Sequence, residues 1–141
     1  LRGIKTLHVR MQRHCENTAQ IANFLKESKK IEKVYWPGFK FHPNHNIARS
    51  QMKDFGGMLS FVTKGADYKS AIKIVEKLKI FTLAESLGGV ESLAGHPASM
   101  THASIPKQIR EKSGVVDALI RLSVGIEHVD DLIADLKQAI G

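Results

Sequence analysis

One cysteine, Cys15, stands in a chain of 141 residues, so no internal disulfide can brace the fold and a reducing cytoplasm is the expected setting. No stretch approaches the ~20 consecutive apolar residues that a membrane span requires. Aromatic residues make up 6% of the chain, too few to interleave with cations as a stacking surface for bases. Repeats and low-complexity tracts are absent. The opening Leu1-Arg2-Gly3-Ile4-Lys5 has no initiator Met and lacks the layout of a signal peptide, so the chain is expected to begin inside a longer protein or to have been processed. Disulfide-stapled, membrane-spanning and nucleic-acid-binding classes are thereby set aside.

What is present suits one soluble domain with a modest core: 43% hydrophobic and 25% charged residues. The net charge of +7 comes from lysines scattered along the chain, which reads as solvated surface rather than a phosphate-binding patch.

Periodicity gives the element order. Leu7, Met11, Cys15, Ala19, Ala22 and Leu25 recur at helical spacing and predict a long first helix with one apolar stripe, entered from about residue 4 without a cap. Ile31 to Trp36 reads as a strand ended by Pro37-Gly38, and residues 44–53 as a short helix with Asn44 at its N-cap. Met58 to Thr63 alternates as a strand with Leu59 and Phe61 on one face. Asp67 is placed to cap a third helix with the stripe Tyr68, Ala71, Ile72, Val75 and Leu78. A short strand over Ile80 to Leu83 follows. Pro106 opens a brief helix that Gly114 can close. Leu119 to Val124 is the clearest strand, and Val129, Leu132, Ile133, Leu136 and Ile140 mark a final helix with Asp130 and Asp131 at its positive end. This order predicts an α/β two-layer sandwich, a small sheet with helices packed on it.

Two features point to chemistry. Glu85 to Ser104 holds no periodicity, yet it is too apolar for disorder, and a loop of that length inside a compact domain is commonly functional. Arg121 lies within an otherwise apolar strand, on the face opposite Ile120, Leu122 and Val124. A guanidinium there needs an anionic partner. One of the chain's own 14 acids would serve, and so would an incoming carboxylate, which the planar fork matches bidentately. The residues alone leave both open. Seven histidines are present, but none has Cys or carboxylate companions at metal-ligand spacing, so no metal site is expected. Cys15, on an apolar helical stripe, reads as core.

The stretches Leu83 to Leu93 (LAESLGGVESL), His96 to Ala103 (HPASMTHA) and Leu119 to Glu127 (LIRLSVGIE) resemble the Cys/Met-metabolism family of pyridoxal 5'-phosphate (PLP) enzymes. The opening Arg2 to Met11 and Gln51 to Phe61 are similar to it too, so the likeness runs end to end. Within that family the chain is similar to the cystathionine gamma-synthases and gamma-lyases. The resemblance implies the C-terminal domain of a fold-type-I PLP enzyme, residues 1–141, with about 1–27 a long helix leading in from a PLP domain outside this chain. It implies that the catalytic lysine and the cofactor's ligands lie in that other domain, that no lysine here holds PLP, and that this piece alone is inactive. It assigns Arg121 to the substrate α-carboxylate, Ser86 to the edge of the active site, and Glu85 to a position that varies with reaction preference. Thr101 falls in a loop reaching toward the site.

The implied substrates are cystathionine, or an O-acyl-homoserine plus cysteine, with chemistry at the γ-carbon. The implied assembly is a homotetramer, with no nucleic acid or membrane partner. Relatives of methionine gamma-lyase or cystathionine beta-lyase type, and a non-catalytic stand-alone α/β binding module, are the alternatives.

Overall fold

The computed structural model describes residues 1–65 and 67–141. A turn of 3-10 helix, Gly3–Thr6, leads into α1, Leu7–Glu27. Then follow β1 (Ile31–Tyr35), α2 (His45–Gln51), β2 (Met58–Thr63), α3 (Tyr68–Lys77), β3 (Thr82–Leu83), β4 (Leu93–Gly95), α4 (Lys107–Lys112), β5 (Leu119–Ser123) and α5 (Val129–Ile140). The strands form one sheet in the order β1-β2-β5-β4-β3. All neighbours run antiparallel except β3 and β4, which are parallel.

Strand alternation decides which residues enter the core. Leu59, Phe61, Ile120 and Leu122 point from the two central strands toward α1, α3 and α5, and meet Ile21, Leu25, Ala71, Val75, Leu132 and Leu136. This is the expected layer of helices on a sheet. A smaller cluster, Val62, Ala118 and Leu119 with Val115 and Val116, covers part of the other sheet face. The remainder of that face carries Arg121.

Local signals hold where the chemistry is local. The Asp67 carboxylate accepts from the Ser70 N–H at 2.8 Å, capping α3 as its position predicts. Gly114 takes φ +89° just after α4, a conformation that suits a residue without Cβ. Asn44 sits at the N-cap of α2 but makes no side-chain cap bond; the His42 ring accepts from the Asn44 N–H instead.

Three expectations are corrected by the structure. The predicted stripe on α1 is half wrong: Leu7 and Met11 are exposed and Cys15 is part-exposed, whereas His14, Asn17 and Thr18 are buried with Ile21, Ala22 and Leu25. His14 and Asn17 turn inward because the chain after β5 offers them carbonyl groups, met by His14 Nδ1 at Val124 O and by Asn17 Nδ2 at Gly125 O and Glu127 O, while the Thr18 hydroxyl donates to His14 O within α1. The aperiodic Glu85–Ser104 stretch also contains a fully buried strand, β4. Three residues are too few to show a period. The strand expected over Ile80 to Leu83 is reduced to Thr82 and Leu83, because the N–H groups of Lys79, Ile80 and Phe81 point to Asp135 on α5.

Candidate functional site

β5 is a central strand, and its register places Arg121 between Ser60 of β2 and Gly95 of β4. Two small neighbours leave the guanidinium room to lie over the sheet. At Gly95 the fit is tight: a Cβ there would stand 3.3 Å from Ala84 O and 3.7 Å from Arg121 Nη2. Arg121 is half-buried, and its Nη2 donates to Glu85 O at 3.3 Å. Among the described residues, no carboxylate lies within ion-pair distance of it.

Arg121 forms one wall of a shallow surface notch, too narrow here for a water molecule, shared with Glu85, Gly95, His96, Met100 and Thr101. Of the four site residues expected from sequence, the structure therefore brings three together. Ser86 follows Glu85 in the chain, is exposed, and does not line the notch. The Thr101 hydroxyl is within 2.8 Å of His102 Nδ1. The notch is open to solvent and does not enclose a ligand on its own.

Buried polar groups hold its walls. His96 has no exposed surface; its Nε2 donates to Asp117 O at 2.6 Å, which leaves Nδ1 to accept from the Ser99 hydroxyl at 2.8 Å. The edge of Tyr68 meets the His96 ring at 5.0 Å between centroids. Asp117 in turn pairs with Lys107 at 2.5 Å and with the buried Arg110 at 2.6 Å, and Arg110 also donates to Val115 O. Hydrogen bonds from Lys107 and then Arg110 hold the Asp117 carboxyl below the usual carboxylate range, and the same bond pushes Lys107 up. The segment from His96 to Asp117 is thus tied down at both ends.

The loop on the other side, Glu85 to Ser92, is fastened to the chain after β5. Glu127 accepts from the Ser92 N–H at 2.6 Å and from its hydroxyl at 2.8 Å, while the Ser92 hydroxyl accepts from Gly125 N at 2.8 Å. Ile126 N donates to Val90 O. Sequence reasoning assigned no role to Gly95, His96, Ser92 or Glu127 in building the site. Only their register with β5 reveals one.

A larger depression, about 450 Å³, runs beside α1 and is lined by His8, Met11, Cys15, Met52 and Gly56. Burial pushes the Cys15 thiol up, away from the reactive thiolate. None of the predicted site residues lies there. Among the described residues, no three His, Cys, Asp or Glu side chains come close enough to hold a metal ion. Among the described residues, no helix is long and apolar enough to cross a membrane.

The family model described as Cys/Met metabolism PLP-dependent enzyme matches residues 1–141. The chain is 55% identical over 140 residues to a cystathionine beta-lyase of Coxiella burnetii and 54% to a cystathionine gamma-lyase of Dictyostelium discoideum, covering 99% of this chain and 36% of each relative. It therefore spans about a third of the length of the curated relatives it matches. A crystal structure of cystathionine gamma synthase from Xanthomonas oryzae pv. oryzae in complex with cystathionine superposes with a TM-score of 0.93 at 46% identity, over 99% of this chain and 36% of that one.

Proposed function

Because the chain belongs to the Cys/Met metabolism family of PLP-dependent enzymes, we propose that it is the C-terminal, substrate-carboxylate-binding domain of a transsulfuration enzyme working at the γ-carbon. The observation that carries this is the half-buried guanidinium of Arg121, without a carboxylate partner among the described residues, in a notch beside Glu85 and Thr101. A planar cation carried on a central strand donates bidentately to a carboxylate and orients the rest of the amino acid. Ser86, at the exposed edge of the same loop, would face the open side of the notch.

The residues present do not fit a PLP anchor. No lysine lines the notch, and its shallow shape leaves the cofactor to a surface this chain does not supply. We assign PLP, the catalytic lysine and the other walls of the site to the part of the enzyme outside residues 1–141, and the fragment alone is then inactive. α1 would enter from that part. Cystathionine, or an O-acyl-homoserine with cysteine, is the proposed substrate class, and a homotetramer in a reducing cytoplasm completes the reading. The preference for the γ-carbon rests on Glu85, since relatives named for β-lyase, γ-lyase and synthase chemistry are 55%, 54% and 46% identical to the chain and do not themselves favour it.

Replacing Arg121 by Ala in the full-length holoenzyme tests the reading. Losing the partner of a desolvated carboxylate costs about 3 kcal/mol, so KM for the amino acid should rise on the order of 100-fold while PLP content is unchanged. Unchanged kinetics would remove Arg121 from the site.

A further inference from the structure

The loop Glu85–Gly88 hangs from a single strand. Arg121 donates to Glu85 O at its start, and the Ser123 hydroxyl accepts from Gly88 N at its end, 3.0 Å away. Arg121 and Ser123 are two apart on β5, so both side chains project from the same sheet face. Ser123 is buried, with 3% of its surface exposed, although the loop it holds is exposed. Gly88 itself has φ +78° and nothing within 4 Å of where a Cβ would stand. It reaches the hydroxyl by backbone conformation and not by packing.

We propose that Ser123 is a positioning residue for substrate recognition: with Arg121 it clasps the Glu85–Gly88 loop at two points, so that Glu85 and Ser86 are held at a set distance from the guanidinium. This rests on the reading of Arg121 as the carboxylate-binding group and adds how the facing loop is placed. The Glu127–Ser92–Gly125 bonds anchor the far end of the same loop, leaving Glu85 to Leu87 as the stretch whose position the clasp decides. When a carboxylate docks on the guanidinium, the loop is already in place, and no ordering has to accompany binding.

The test compares Ser123→Ala, Gly88→Ala and their double variant with Arg121→Ala, all in the full-length holoenzyme. Removing the hydroxyl leaves one part-buried N–H on an exposed loop that can turn to water, so melting temperature and PLP content should stay close to the parent values. Freed at one end, the loop should raise KM for the amino acid roughly tenfold in Ser123→Ala, with kcat within about twofold. Gly88→Ala keeps the N–H but strains the positive φ that aims it at Ser123, so it should raise KM in the same direction, and the double variant should be no worse than the stronger single one, because both act on the same bond. If Arg121→Ala raises KM while Ser123→Ala leaves it unchanged, the clasp is wrong and the site reading stands. A loss of kcat and melting temperature in Ser123→Ala at constant KM would reduce Ser123 to a structural role and also overturn the proposal. Unchanged KM in Arg121→Ala defeats the underlying reading, and the clasp with it.

Discussion

Arg121 and Gly95 stand opposite each other on β5 and β4, with Arg121 Nη2 3.7 Å from where a Cβ at position 95 would stand, an ordinary contact. The same glycine brings the Ala84 carbonyl close, and Ala84 is the residue that launches the Glu85 loop. One backbone position thus borders the cation and sets the start of the loop that faces it.

A methyl group at 95 is therefore expected to matter more for binding than for folding. Its Cβ would press on Ala84 O at 3.3 Å while meeting Arg121 Nη2 at an ordinary 3.7 Å, and a small shift of the Ala84 segment relieves the tight contact. In the full-length enzyme, Gly95→Ala should raise KM for the amino acid roughly tenfold, since misplacements below an ångström already cost binding and alignment. The melting temperature should fall by no more than a few degrees. Steady-state kinetics beside a thermal melt separates the two effects.

Asp135 carries a stability prediction with a definite pH sense. Burial alone would raise its carboxyl, but the N–H groups of Ile80, Lys79 and Phe81 and the amide of Gln138 together outweigh burial and hold it below the ordinary range. A group depressed in the folded state stabilises fully above its unfolded value, about 3.9, and loses that contribution as pH falls through the folded value. Asp135→Asn should cost about 2–4 kcal/mol at neutral pH. It should also flatten the acid limb of the stability curve below about pH 4. Urea unfolding at a series of pH values measures both.

Arg110 is predicted to hold the floor beneath His96. Its side chain is 7% exposed and pairs with Asp117, whose own backbone oxygen receives His96 Nε2. Arg110→Ala leaves Asp117 with Lys107 alone, so the loss should be about 1–3 kcal/mol, less than for a fully buried pair. Because the segment from His96 to Thr101 borders the notch, KM should rise as well. Arg110→Lys should restore charge but not the bond to Val115 O and should recover only part of the stability.

Where short-range chemistry decides, the sequence was readable. Asp67 caps α3, Gly114 follows α4, and the alternation of β5 set Arg121 apart from the core-facing Ile120 and Leu122, all from spacing and side-chain type. The family, too, was legible in blocks such as Leu83 to Leu93, because those blocks are long and in order. The buried face of α1 was not. Leu7, Met11 and Cys15 fit the helical period, but helical period says only that residues share a face, not that another part of this chain covers it.

By itself, then, the sequence determined the longer elements, the layer of helices on a sheet and the one cation out of keeping with its strand. Those follow from side-chain periodicity and backbone preference, which act over a few residues. Tertiary structure alone decided that His14 and Asn17 turn inward, that a three-residue strand carries Gly95 to Arg121, and that Ser123 and Glu127 fasten the Glu85 loop. Each of these depends on a hydrogen bond or close approach between groups more than 25 residues apart, and such a pairing exists only once the sheet has chosen its register.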